Sequence, residues 1–108
     1  MKTSITVEEL ETLMEFGTPL VVYDVRKRPA FDEDNTIIDG AEYRDPAAAD
    51  DWISSAPKDR LVVCYCVHGH AVSQGARKAL EDAGHRAVYL RGGIDAWKDA
   101  SGALAPKP

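Results

Sequence analysis

Three runs of consecutive apolar residues are separated by segments in which apolar residues recur every three or four positions. The runs are "PLVVYDV" at 19–25, Leu61 to Cys66, and "AVYL" at 87–90. A short continuous apolar run is typical of a strand that is buried on both faces, as in parallel sheets. Weaker strand candidates are Ile37 with Ile38, and residues 41–43.

The segments between these runs have the pattern of amphipathic helices. Thr6 followed by Glu9 forms a capping box, and the helix that it opens should end at Gly17. A longer helix should follow the second strand and end at Gly84. Its apolar residues keep helical spacing, namely Val72, Ala76, Ala79, Leu80 and Ala83.

Shorter helices are predicted in three other places. Pro29 suits the first turn of a short helix, and a second helix is expected over 47–53. The third follows the glycine turn of "RGGIDAW" at 91–97, where Trp97 should pack against the core. The acidic "DEDN" at 32–35 is expected to be a solvated connection.

Strands that alternate with helices predict an α/β fold, a small parallel sheet with helices on both faces. The chain has 108 residues, 44% of them hydrophobic, which suits one compact domain with its own core. We therefore expect a single domain over 1–108, with 102–108 as a loose C-terminal tail.

The charge balance limits the classes of partner. A formal net charge of -5 argues against nucleic acid or an anionic membrane as the main partner. The start "MKTSITVEEL" has no apolar run behind it, and no stretch approaches the ~18 apolar residues that a membrane span requires. These features predict a cytoplasmic protein whose partner is a small molecule or another protein.

The cysteine-containing stretch "VCYCVHGHAVS" at 63–73 joins the second strand to the long helix. Cys64 lies within the apolar run and should be a buried, inert thiol. Cys66 lies where the strand ends, so its sulfur should face unpaired loop amides and the positive end of the helix dipole, which favour the thiolate. Gly69 suits a loop whose amides point inward to bind an anion. A disulfide across two positions would be strained, so both thiols should be free.

Polar or glycine residues follow all three strong strands. The strands end at Asp24, Cys66 and Leu90, and the residues beyond them include Arg26 and Arg91. Ligand sites in parallel sheets lie beyond the carboxyl ends of the strands, so these ends should face one crevice. Asp24 could instead only cap its turn, and both arginines could be solvated surface charges.

These motifs together resemble those of the rhodanese domains, and in particular the single-domain thiosulfate sulfurtransferases. The resemblance spans nearly the whole chain and rests on four pieces in order: "VVYDVR", "DGA" at 39–41, "CVHGHA" and "LRGGIDAW". It implies that Cys66 is the nucleophile and carries sulfur as a persulfide. It also implies an anion cradle for the substrate formed by Val67, His68, Gly69, His70, Ala71 and Val72.

Further roles follow from the resemblance and from the strand ends. Asp24, Arg26 and Arg91 would support the site. The reaction would move sulfane sulfur from thiosulfate or a related small donor to cyanide or a thiol acceptor, which could be carried by a protein, and it would need no cofactor or metal. His68 and His70 are the only potential cations of the loop, although both could simply hydrogen-bond loop carbonyls.

Three alternatives remain open. A cysteine-dependent phosphatase or arsenate reductase also uses a Cys loop over a helix, but here the first arginine after Cys66 is Arg77, so the loop has none to grip an oxyanion. A rhodanese-like binding module without catalysis is the second alternative. The third is a zinc site, which the alternate-residue spacing of its possible ligands disfavours, namely Cys64, Cys66, His68 and His70.

Overall fold

The computed structural model describes residues 2–108. Its seven strands are β1 Ser4–Ile5, β2 Leu20–Asp24, β3 Thr36–Ile38, β4 Glu42–Tyr43, β5 Leu61–Tyr65, β6 Ala87–Leu90 and β7 Leu104–Pro106. Its five α-helices are α1 Val7–Glu15, α2 Arg28–Glu33, α3 Ala49–Trp52, α4 Ala71–Asp82 and α5 Gly93–Asp99. Two 3₁₀ turns, Pro46–Ala48 and Ile53–Ser55, flank α3. No helix in this part of the chain is long and apolar enough to cross a membrane.

The central sheet confirms the predicted α/β fold. Five strands lie in the order β1-β6-β5-β2-β4, and every neighbouring pair is parallel. The three strands predicted from apolar runs are β2, β5 and β6, and they are neighbours in the middle of the sheet. The structure adds β1 at one edge, a two-residue strand that the sequence pattern did not predict.

Side chains alternate between two hydrophobic cores, one on each face of the sheet. Along β5, Val63 and Tyr65 lie in the core that α1 and α5 cover, with Leu10 and Trp97. Val62 and Cys64 lie in the other core, which α3 and α4 cover. Because successive residues of a strand point to opposite faces, residues two apart share a face. Cys66 therefore continues the α4 side of the sheet.

Most of the predicted helices are present. Thr6 caps α1 with the expected reciprocal bonds to Glu9, and Pro29 lies in the first turn of α2. The helix predicted over 47–53 is broken, because only Ala49–Trp52 is α-helical and tighter 3₁₀ turns precede and follow it. Trp52, at the end of α3, is nevertheless buried.

The C-terminal segment is not the loose tail predicted over 102–108. Residues 104–106 form β7 and pair antiparallel with β3 in a separate two-stranded ribbon. Gly102 packs directly on the Trp97 indole, whose Nε1 donates to the Ala103 carbonyl at 2.8 Å. Backbone pairing holds this segment, and its largest apolar side chain, Leu104, stays exposed, so hydrophobic pattern alone could not predict the strand.

Candidate active site

The candidate site lies at the carboxyl ends of β2, β5 and β6. These strands are adjacent, with Asp24 beside Tyr65 in register, so the three predicted strand ends lie at one edge of the sheet. β5 ends at Tyr65, one residue earlier than predicted, and Cys66 is therefore the first residue of the loop that leads to α4.

The loop from Cys66 to His70 requires a glycine and, within the described residues, leaves its backbone amides without acceptors. Gly69 has a φ of +75°, and a Cβ at this position would lie 2.7 Å from the Leu90 carbonyl oxygen. Glycine is therefore required by both conformation and space. Across residues 2–108, no acceptor receives a hydrogen bond from the backbone amides of Val67 to Ala71. Such a run of free amides next to a helix N-terminus attracts negative charge.

The start of α5 holds this loop in place. The Ile94 amide donates to the Cys66 carbonyl at 3.0 Å, and the Asp95 amide donates to the Val67 carbonyl at 3.1 Å. Gly93 makes this approach possible, because a Cβ there would lie 2.4 Å from both carbonyl oxygens. The segment "RGGIDAW" thus does more than turn the chain, since it fixes the position of the cysteine loop.

Two residues of α4 that sequence analysis did not identify contact the loop. Gln74 Nε2 donates to the Gly69 carbonyl at 3.0 Å and so braces the loop from the helix side. Ser73 Oγ lies 3.1 Å from Cys66 Sγ. The burial of Ser73 could have been predicted from the sequence. Ser73 lies three residues before Ala76 and seven before Leu80, and therefore on the buried face of the helix.

The two cysteines differ in surroundings, as predicted. Cys64 is completely buried, and burial raises the pKa of its thiol to about 12. It is protonated and inaccessible near neutral pH. Cys66 is also buried, but 6% of its surface is exposed and it is the first residue of the loop. Both thiols are free.

The two loop histidines occupy different positions. His68 Nδ1 lies 3.0 Å from Asp95 Oδ2 on α5, so this imidazole pairs with a carboxylate and not with a loop carbonyl. His70 is exposed and occupies the N-cap position of α4. Their ring centroids are 6.0 Å apart. Within residues 2–108, no three His, Cys, Asp or Glu side chains are grouped so that they could hold a metal ion.

Asp24 and Arg26 form a buried ion pair beneath the carboxyl end of β2. Asp24 is fully buried and Arg26 is 1% exposed, so Arg26 is not the solvated surface charge considered from the sequence. Arg26 Nη2 donates to Asp24 Oδ2 at 2.6 Å, and Nε donates to both carboxylate oxygens at 3.0 Å. Burial works to lower the pKa of Arg26, but the Asp24 carboxylate outweighs burial and raises it.

Tyr65 connects this ion pair to the ribbon. Its hydroxyl donates to Asp24 Oδ2 at 2.8 Å and accepts from the Ile38 amide at 3.1 Å. Burial raises the pKa of Tyr65, so the phenol keeps the proton that it donates. The last residue of β5, directly before Cys66, is thereby fixed to β2 and β3.

Asp34 contradicts the expectation that "DEDN" is only a solvated connection. Its carboxylate accepts from Arg26 Nη1 at 2.9 Å, from Lys98 Nζ at 2.6 Å and from the Thr36 amide at 2.9 Å. Burial acts to raise the pKa of Asp34, but these donors outweigh it and hold the pKa well below its usual value. The acidic sequence alone could not show that one of these residues has two basic partners.

Asp34 should make the protein sensitive to acid. A carboxylate whose pKa is depressed on folding stabilises the fold above its unfolded pKa of about 3.9, and this contribution is lost as the pH falls toward the folded value. Asp34→Asn should therefore be less stable than the wild type near pH 7, with a difference that shrinks below about pH 4. Urea unfolding at a series of pH values measures it, and a difference that stays constant into acid would contradict the assignment.

Arg91 does not join the site. Its side chain is exposed, and Nε donates to Ser4 Oγ at 2.9 Å, which fastens the edge strand β1 to the end of β6. The prediction that Arg91 supports the cysteine loop assumed that a strand-end arginine points into the crevice. The two residues of β1, which the pattern did not reveal, provide its partner instead.

Comparisons with known proteins agree with this architecture. The family model for the Rhodanese-like domain matches residues 6–100. The chain belongs to the rhodanese-like domain family. A thiosulfate sulfurtransferase GlpE from Pseudomonas fluorescens is 35% identical over 92 residues, which cover 84% of this chain and 80% of the relative. The curated relatives thus place this rhodanese-like domain among sulfurtransferases.

Solved structures show the same fold. A rhodanese-like domain protein from Staphylococcus aureus superposes with a TM-score of 0.83 at 29% identity, and the match covers 100% of both chains. A Rhodopseudomonas palustris protein of unknown function, described as a possible tyrosine phosphatase, gives a TM-score of 0.81 at 26% identity over 96% of this chain and 85% of that one.

Proposed function

We propose that this rhodanese-like domain is a sulfurtransferase that carries sulfane sulfur on Cys66. The observation that carries the proposal is the position of Cys66 at the start of a loop whose free backbone amides, from Val67 to Ala71, form an anion cradle pinned by α5. A preorganised cradle of this kind stabilises charge without reorganisation during the reaction. The donor would be thiosulfate or a related small sulfane compound.

The first half-reaction loads the enzyme. The Cys66 thiolate attacks the outer sulfur of thiosulfate, and a bond forms between Sγ and that sulfur. The sulfur-sulfur bond of thiosulfate breaks, and its electron pair leaves with sulfite. The loop amides and the positive end of α4 favour the thiolate before attack and hold the oxyanion as it departs.

The second half-reaction unloads the enzyme. Cyanide or an acceptor thiolate attacks the outer sulfur of the persulfide, and the bond to Cys66 Sγ breaks with its electron pair left on the cysteine. The thiolate is thereby regenerated, and no external cofactor takes part. The acceptor thiol could belong to a small molecule or to a protein, and a cytoplasmic setting, which keeps thiols reduced, suits this chemistry.

The buried ion pair would act on the site through the backbone. Asp24 and Arg26 fix the end of β2, and Tyr65, the residue directly before Cys66, is hydrogen-bonded to Asp24. Their proposed role is to position the loop, because all three groups are buried and satisfied within the protein. His68, held by Asp95 at the exposed rim, would line the path of an approaching anion.

The phosphatase alternative is disfavoured by the location of the arginines. Phosphoryl transfer needs positive charge at the equatorial oxygens. Arg77, the first arginine after Cys66, pairs with Glu81 at 2.6 Å, and its Nη1 also reaches the Ala87 carbonyl at 3.4 Å. Arg26 is committed to Asp24 and Asp34. Neither is directed by these contacts to grip a phosphate on the loop.

Parallel assays of the two reactions test the proposal. The protein should transfer sulfur from thiosulfate to cyanide at a measurable rate, while hydrolysis of an aryl phosphate stays near the uncatalysed background because the loop offers no arginine to the transition state. Cys66-dependent phosphatase turnover would reverse this ranking. Absence of both activities with several sulfane donors would favour a non-catalytic binding module.

A further inference from the structure

Ser73 is a fully buried hydroxyl on the first turn of α4, and its Oγ lies 3.1 Å from Cys66 Sγ. Serine at a buried helix position carries a cost unless its hydroxyl finds a partner. The usual local partner is the carbonyl four residues earlier, which here is Gly69. That carbonyl accepts a hydrogen bond from the Gln74 side-chain Nε2 instead, and the Ser73 hydroxyl is hydrogen-bonded to the cysteine sulfur.

The charge of the sulfur decides the direction of this hydrogen bond. A neutral thiol is a weak donor and a weak acceptor, whereas a thiolate can only accept. The hydroxyl can rotate, so Ser73 is able to donate when Cys66 is ionised. A hydrogen bond to a charged group is worth more than one between neutral groups, and burial of both atoms strengthens it further.

We propose that Ser73 is a second catalytic residue, which donates a hydrogen bond to Cys66 Sγ whenever that sulfur is negatively charged. The inference rests on the proposed function and extends it to the step that unloads the enzyme. In that step the acceptor bonds to the outer sulfur, the bond between the outer sulfur and Sγ breaks, and its electron pair remains on Sγ. Ser73 stabilises this departing thiolate.

The two half-reactions should respond to Ser73 in opposite directions. A hydrogen bond that stabilises the thiolate makes it a better leaving group, so loss of the bond should slow unloading. The same bond also lowers the nucleophilicity of the thiolate, with a Brønsted coefficient of about 0.4–0.5, so above the ionisation midpoint its loss should make loading faster. A purely structural role would impair both steps together.

The test uses Ser73→Ala and the hydroxyl-retaining Ser73→Thr, with Ala76→Gly as a matched control. The control weakens α4 one turn further along, on the same buried face, without touching the sulfur. Every variant keeps the charged and titratable groups of the loop and its neighbouring elements, namely Cys64, His68, His70, Arg77 and Asp95. Rapid mixing measures loading by thiosulfate and unloading by cyanide separately.

Ser73→Ala should unload sulfur about three- to tenfold more slowly and load it up to about threefold faster at a pH where Cys66 is ionised. The pH profile of its alkylation by iodoacetamide should move to higher pH, because the hydrogen bond that favours the thiolate is lost. Ser73→Thr should restore both values, and Ala76→Gly should reduce stability without changing the ratio of the two rates. These outcomes would support the proposal.

Failure of this inference and failure of the proposed function give different results. If the wild type loads and unloads sulfur but Ser73→Ala unloads equally fast with an unchanged alkylation midpoint, the catalytic role of Ser73 is overturned while the sulfurtransferase function stands. If the wild type never gains sulfur at Cys66, the proposed function itself fails, and with it the leaving-group role.

Discussion

Cys66→Ser is expected to abolish sulfur transfer and leave the fold intact. Serine is nearly isosteric with cysteine, but its hydroxyl is not ionised near neutral pH and cannot carry sulfane sulfur. The matched control is Cys64→Ala, two residues earlier on the same side of the sheet. It should keep its activity and lose stability on the order of 1 kcal/mol, because it leaves a small cavity in the core. Thiosulfate:cyanide assays and urea unfolding measure the two effects.

Alkylation separates the same two thiols without mutation. Cys66 should react with iodoacetamide near neutral pH, whereas Cys64 should react only after unfolding, because access limits attack as well as ionisation. A folded but inactive Cys64→Ala protein, or a Cys66→Ser protein that still consumes thiosulfate, would overturn the assignment of the nucleophile.

Arg26→Met should cause the largest loss of stability. The substitution keeps much of the apolar stem but leaves the Asp24 carboxylate buried without its counter-ion. Removal of one partner of a buried ion pair typically costs about 3–5 kcal/mol. Since typical domains are stable by only about 5–15 kcal/mol, a loss of this size removes a large fraction of the free energy of unfolding. Urea titration followed by circular dichroism measures the loss.

A double variant distinguishes the loss of stability due to an unpaired buried carboxylate from the loss due to poorer packing. Asp24→Asn combined with Arg26→Met removes the uncompensated carboxylate, so it should be more stable than Arg26→Met alone. If the single variant loses less than about 1 kcal/mol, the ion pair is more hydrated than its burial implies. If the double variant is the less stable of the two, packing of the guanidinium against its neighbours dominates.

The sequence pattern predicted the elements that are rich in apolar residues. β2, β5 and β6 were evident as continuous apolar runs, and Thr6 with Glu9 marked the start of α1 through local hydrogen bonding. Cys66 and Gly69 could be placed on a loop between a strand and a helix, because an apolar run ends there and a helical period begins. These features depend on neighbouring residues, which is why one sequence suffices to predict them.

Features that depend on distant contacts were missed or misjudged. β7 is held by backbone pairing with residues far away in the chain, and Arg91 turns to a serine at the other end of it. Asp34, which follows α2, gains Arg26 from the segment after β2 and Lys98 from α5 only when these elements come together. Ser73 is the intermediate case, since its buried helix position was readable, whereas its contact with Cys66 required the fold.

Intact-protein mass spectrometry after exposure to thiosulfate tests the central claim most directly. The account predicts that the wild type gains the mass of one sulfur atom, that peptide mapping places it on Cys66, and that cyanide or a thiol removes it. Cys64→Ala should gain the same mass and Cys66→Ser should not. A wild-type protein that acquires no sulfur from thiosulfate or any other sulfane donor, or that acquires it on Cys64, would contradict the account.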